Sequence, residues 1–130
     1  MIEVERLSKH FGAVHAVEDV SFRAKDGRVT GLLGPNGAGK STTLRILSTV
    51  LSADRGSARI GGLDVAAEPL RVRRILGVLP HSSGLYAQLT ARENVEYYGR
   101  LQGLSETALA ARVEALLERL ELTGIANRRA

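Results

Sequence analysis

At 130 residues, 44% of them hydrophobic and 25% charged, the chain has the composition of one globular domain or part of one. It has no cysteine, which excludes a disulfide framework and a thiolate metal site, and no apolar run approaches the ~20 residues of a bilayer span. The net charge of +4 comes mostly from arginines scattered among acidic residues, and only three Tyr and two Phe are present, so the Arg71, Arg73 and Arg74 cluster reads as a solvated helix face and nucleic acid is not an expected partner.

Residues 2–7 alternate apolar and charged side chains, the mark of a half-buried strand. Residues 8–12, Ser-Lys-His-Phe-Gly, read as a polar break with one aromatic in it. Residues 14–24 form a second extended stretch, with Val20, Phe22 and Ala24 on one face and Asp19, Ser21 and Arg23 on the other; Lys25-Asp26-Gly27 follows as a turn. Residues 28–33 read as a buried strand running straight into Gly34.

The segment Gly34-Pro35-Asn36-Gly37-Ala38-Gly39-Lys40-Ser41-Thr42 fits the pattern Gly-x-x-x-x-Gly-Lys-Ser/Thr, and in a chain of this composition far fewer than one such match is expected by chance. Glycines at 34, 37 and 39 remove the Cβ atoms that would block positive φ and hold backbone amides away from an anion. Those amides open onto the first turn of a helix, where unpaired N–H groups and the macrodipole favour negative charge. Lys40 is placed to reach the β- and γ-phosphates of a nucleoside triphosphate, Ser41 to offer its hydroxyl to Mg²⁺, and Thr42 to donate on the α-phosphate side. Leu44, Leu47 and Leu51 recur at helical spacing and predict a helix over 40–51.

Residues 52–56 read as a loop, and 57–60 with 63–65 as short strands around Gly61-Gly62. Pro69 can open a short helix at its first turn. Residues 75–79 are a compact apolar run, expected as another core strand ending at Pro80. Residues 81–89 then form a polar loop. Thr90-Ala91-Arg92-Glu93 is a capping box; Val95, Tyr98 and Leu101 mark one face of the helix it starts, and Gly103 stops it. Ser105 caps the next helix, whose Leu109, Val113, Leu116, Leu117 and Leu120 form an apolar stripe. A lobe boundary is expected near residue 80. Asp54 and Asp64 fit turn chemistry better than metal binding.

In this order the features resemble the N-terminal half of the nucleotide-binding domain of ATP-binding cassette (ABC) transporters. The likeness runs from Leu7-Ser8-Lys9-His10-Phe11-Gly12 and Val20-Ser21-Phe22 through the 34–42 loop. It continues in Ile75-Leu76-Gly77-Val78-Leu79-Pro80, in Gly84-Leu85-Tyr86 and in Leu89-Thr90-Ala91-Arg92-Glu93-Asn94. Within the family it is similar to bacterial exporter subunits of the drug- and sodium-efflux type. The resemblance implies an α/β fold of the P-loop NTPase class, with an antiparallel β region and an incomplete core sheet around the loop's helix, then the start of a helical subdomain. Residues 1–80 would be the N-terminal part of the ATPase core, and 81–130 a coupling loop with a partial helical subdomain.

The resemblance also implies ATP and Mg²⁺ as ligands. Phe11 stands where the family stacks an aromatic on adenine, with Ala16 a further candidate to line the base; the alternative for Phe11 is a plug between strands. His81 stands where the family carries a glutamine that touches Mg²⁺ and links to the membrane partner. A solvated loop histidine fits that position as well as a weak metal ligand does. The implied partners are a second nucleotide-binding domain and a membrane-spanning permease, which would place the protein in the cytoplasm on the inner face of the membrane.

No Leu-Ser-Gly-Gly-Gln signature, no strand ending in Asp-Glu and no later switch histidine occurs up to Ala130. The chain is therefore expected to be a truncated piece that contains no catalytic residue, binds nucleotide and hydrolyses little by itself. A P-loop phosphotransferase, a regulatory GTPase and a non-transport ABC ATPase stand as rival readings. The first needs an arginine-bearing lid and the second an Asn-Lys-x-Asp string, which is absent.

Overall fold

A computed structural model describes residues 1–79 and 84–129, which divide into two compact units, Met1–Val78 and Leu79–Ala130. The first is built on a four-stranded antiparallel sheet in the order β2-β1-β3-β4, from β1 (Ile2–Phe11), β2 (Val14–Ala24), β3 (Arg55–Ile60) and β4 (Leu63–Asp64). Helix α1 (Lys40–Leu47) and the short α2 (Pro69–Ile75) accompany it. Val4, Leu7, Ile46, Leu47, Ala58, Ile60, Val65 and Val72 make one buried cluster.

The expected break at 8–12 is strand instead: β1 continues to Phe11 and the chain reverses at Gly12-Ala13, where Phe11 pairs with Val14. Register irregularities interrupt the alternation of β1. One extra residue sits between the Val4–Phe22 and Leu7–Val20 pairs, where Arg6 has a φ of 45°, so Val4 and Leu7 are both buried although three positions apart. The faces expected for residues 19–24 are observed, with Val20, Phe22 and Ala24 half-buried and Asp19, Ser21 and Arg23 exposed. Strand β3 starts at Arg55, inside the stretch expected as loop, because its first residue already pairs with Ser8.

Two expected core strands are not strands. Residues 28–33 make no ladder among the described residues, and Val29 and Leu33 are essentially fully exposed; the buried strand expected there is corrected to an irregular, unpaired segment. Residues 75–79 behave alike: Ile75 closes α2, the rest is irregular, and Leu79 is 95% exposed. A strand needs neighbours to accept its amides and cover its side chains, and neither segment has one among the described residues. Helix α1 is also shorter than 40–51. It ends at Leu47, Thr49 takes a φ of 61°, and the buried face is Thr43, Ile46 and Leu47, leaving Leu44 exposed.

The second unit pairs α3 (Ala91–Leu101) with α4 (Glu106–Arg119), followed by a 3₁₀ turn (Thr123–Ile125). Leu109, Val113, Leu117 and Ala126 form its buried cluster, with Val95 and Leu122 packed on it. Leu120, expected in the stripe, is exposed, as are Tyr98 and Leu101 of the face expected on α3. The interior of that helix is carried by Asn94, 2% exposed. Its Oδ1 accepts from the Tyr86 amide at 2.8 Å, and its Nδ2 lies 3.1, 3.3 and 3.0 Å from the carbonyls of Tyr86, Leu89 and Thr90. One amide thus satisfies the backbone of the loop entering α3. The capping box is present: Thr90 Oγ1 accepts from the Glu93 amide at 3.2 Å and Glu93 Oε2 from the Thr90 amide at 2.7 Å.

Asn94→Ala leaves the Tyr86 amide without its acceptor and should destabilise this unit by about 2 kcal/mol, read as faster amide exchange at Tyr86. The hydrogen bonds from the Thr90 amide and hydroxyl hold the Glu93 carboxyl below its ordinary value of 4.5. A depressed folded-state pKa stabilises above the unfolded value and is lost as pH falls through the folded one. Far-UV circular dichroism should therefore show α3 fraying only as pH drops from about 4.5 downward, and Glu93→Gln should remove that dependence.

A candidate phosphate-binding loop

The loop 34–42 reaches α1 through Gly39, its N-cap, in the left-handed region at φ 80°. A Cβ at that position would stand 2.2 Å from the Ala16 carbonyl oxygen and 3.1 Å from Val17 Cγ2. The first turn of α1 is therefore pressed directly onto the backbone of β2, which only a glycine permits. A glycine N-cap also brings no side chain to the first helical amides, and no acidic residue occupies the first turn. The amides of Lys40, Ser41 and Thr42 have no helical carbonyl behind them, so the head of α1 presents donors and positive potential.

Lys40 folds back over the loop. Its Nζ donates to the Gly34 carbonyl at 2.7 Å and to the Pro35 carbonyl at 2.6 Å, closing the bend from inside. The Ala38 amide completes the turn on the Pro35 carbonyl at 3.3 Å. An ammonium has three donors, so these bonds leave one hydrogen for a third acceptor, and they hold the charge at the centre of the bend. Asn36, Gly37, Ala38 and Ser41 are exposed, and Thr42 is half-buried. Loop residues and helix head thus form a donor-lined, cationic bend whose chemistry suits a polyanionic phosphate chain, with the Ser41 hydroxyl exposed for a hard cation.

Phe11 ends β1 at the tip of the same hairpin and is 48% exposed, so it does not act as a plug between strands. Lys9 Nζ lies 5.5 Å from its ring centroid. Ala16, which meets Gly39, lies on the returning strand, so one hairpin carries both the aromatic and the surface on which the loop rests. His81 lies outside the described residues. Asp64 caps a turn, accepting from the Ala66 and Ala67 amides at 2.9 Å. Asp54 does more than the turn chemistry expected of it: it accepts from Lys9 Nζ and from the His10 amide, both at 2.7 Å, and the lysine above all keeps its carboxyl below the usual range. A cavity of about 260 Å³ lies away from the loop, between Leu7, Ile46, Ala58, Val65 and Arg73.

One group was not anticipated from the sequence. His10 and His15 face each other across the hairpin, and both reach Glu18. Three positions spaced 10, 15 and 18 show no regular strand periodicity, and only the bulged register brings them together.

Among the described residues, no helix is long and apolar enough to cross a membrane. The ABC transporter family model matches residues 17–130. The ABC transporter ATP-binding protein NatA of Bacillus subtilis is 42% identical over 134 residues, covering 99% of this chain and 54% of that protein. The doxorubicin resistance ATP-binding protein DrrA of Mycobacterium tuberculosis is 45% identical over 118 residues, covering 91% of this chain and 36% of that one. The chain thus spans about half, or less, of the curated relatives it matches. A dimeric ATP-binding cassette in a post-hydrolysis state, bound to ADP and Pi, superposes with a TM-score of 0.77 at 25% identity, over 99% of this chain and 61% of that one. Rival readings as a phosphotransferase or a regulatory GTPase fall with this match. The match of that family model over residues 17–130, well over half of the chain, places this chain in the ABC transporter family.

Proposed function

We propose that this chain is the nucleotide-gripping part of an ABC exporter's ATP-binding subunit. The carrying observation is the docking of Gly39 on the Ala16 carbonyl, which fixes the uncapped head of α1 and sets the Lys40 ammonium at the centre of the loop. In this reading the amides of residues 37–42 and Lys40 hold the β- and γ-phosphates of ATP. The bond pattern of Lys40 supports a simple exchange: phosphate oxygens replace the Gly34 and Pro35 carbonyls as acceptors, at little cost in desolvation because the ammonium is already bonded. The Ser41 hydroxyl would supply one oxygen to Mg²⁺. Phe11, exposed at the hairpin tip, stacks on the adenine face.

Mg²⁺ held there would supply positive charge that offsets the charge of the phosphates. The chain's own part is to position and to stabilise charge with groups set beforehand. Residues 1–80 then form the gripping portion and 81–130 a coupling loop with the first helices of a helical subdomain. A second copy closing on the bound nucleotide, and a permease in the membrane moving with that closure, are the partners this reading calls for. Dimerisation of the superposed cassette and the drug-resistance role named for DrrA support them. The protein would then work at the cytoplasmic face of the membrane.

Titration with fluorescent ATP should give a Kd raised about tenfold to a hundredfold in Lys40→Ala, the worth of a charged hydrogen bond of ~1.5–3 kcal/mol. Equal affinity in the two proteins would remove the grip from the loop. Gly39→Ala adds a Cβ against backbone and a left-handed residue costing ~1–2 kcal/mol by itself. It should lower both the Tm and the ATP affinity, whereas Gly37→Ala, whose Cβ meets nothing within 4 Å, should lower them less.

A further inference from the structure

The hairpin tip carries a group of side chains that the nucleotide reading does not use. His10 and His15 are cross-strand partners. Their rings lie 4.3 Å apart between centroids, at 41°. Both address one carboxylate oxygen: Glu18 Oε2 is 3.0 Å from His10 Nε2 and 2.7 Å from His15 Nδ1. One candidate ligand atom from each of the three lies within 4.8 Å of the others.

The convergence has a structural cause. In an unbroken strand, residues 15 and 18 point to opposite faces. Here the pairing moves from Lys9–Val17 to His10–His15, so β2 accommodates one more residue than β1 and Ala16 is the extra one. The bulge restores His15 and Glu18 to one face, the kind of re-aiming that such irregularities produce. The same Ala16 meets Gly39, so the bulge is held by packing as well as by the ladder. His10 is anchored too, its amide bonded to Asp54 at 2.7 Å. Lys9, the nearest lysine in sequence, is engaged with Asp54.

We propose that His10 Nε2, His15 Nδ1 and the Glu18 carboxylate form a binding site for a divalent transition metal of the zinc class. Two imidazoles and one carboxylate are the ligand set that Zn²⁺ accepts, with water in the fourth position. Bonds of ~2.0–2.2 Å in a tetrahedron set ligand atoms roughly 3.3–3.6 Å apart. The observed separations to Glu18 fall slightly short of that, and the exposed side chains of His15 and Glu18 can rotate outward to admit the ion. The hard cation Mg²⁺ takes oxygen ligands and is not the expected occupant. Binding would cross-link the last rungs of the hairpin and so fix the strand end that bears Phe11.

Calorimetric titration of the protein with zinc chloride, in the absence of nucleotide, tests this. One equivalent should bind, and His15→Asn and Glu18→Gln should each weaken it by at least ~tenfold, since even outer partners of metal ligands are worth ~10–100-fold. Nitrogen chemical shifts of the His10 and His15 imidazoles should move on zinc addition, which reads the site directly whatever the substitutions do to folding. No saturable binding, or unchanged affinity in both His15→Asn and Glu18→Gln, would overturn the proposal. Because the probe is zinc alone, this outcome is independent of the ATP titration.

Discussion

The contact on which the first unit's site depends is between a backbone and a missing side chain. Gly39 brings the head of α1 against the Ala16 carbonyl, closer than any Cβ allows. Two consequences follow from that approach. The helix axis is fixed relative to the sheet at its N-terminal end, where the macrodipole concentrates positive potential. The loop before it must then turn sharply, and it does so around an ammonium that bonds its own carbonyls. The buried face of α1 secures the arrangement, since Ile46 and Leu47 join Val4, Leu7, Ala58 and Ile60 in one cluster.

Irregular pairing in the sheet is the second organising feature. Arg6 and Asp19 adopt positive φ at points where the register shifts. These shifts rotate the strand about its own axis, so positions that strict alternation would separate end on one face. Val4 and Leu7 are brought together in the core by the shift at Arg6, and His15 and Glu18 at the surface by the separate shift at Ala16. Asp54 ties the far end of the hairpin down by binding both the Lys9 side chain and the His10 backbone. A hairpin bearing an exposed aromatic is thus held by a carboxylate from the segment before β3.

The second unit is organised by polar bonds as much as by its apolar stripe. Asn94 substitutes for backbone partners that an irregular entry loop cannot supply to itself, and the capping box closes the same turn from outside. Arg92 pairs with Glu114 across α3 and α4, which holds the arginine ionised and the glutamate's carboxyl low. Both ions are partly or well exposed, so the pair adds orientation more than stability.

What the sequence determined by itself was whatever a few adjacent residues settle through their own geometry. The phosphate-loop pattern, the capping box at Thr90 and Glu93, the Ser105 cap, the Pro69 helix start and the Gly61-Gly62 turn all depend on neighbours within four positions. The apolar stripe of α4 was legible for Leu109, Val113 and Leu117 for the same reason. Tertiary structure alone decided the rest. Residues 28–33 and 75–79 have strand composition, but a strand exists only by pairing, and no partner stands beside them among the described residues. The His10, His15 and Glu18 group was invisible because its spacing matches no period until a bulge removes one residue from the count. Local chemistry writes turns and caps into adjacent letters, whereas register and burial are properties of two segments at once, and a single string carries no mark of which segment the other will be.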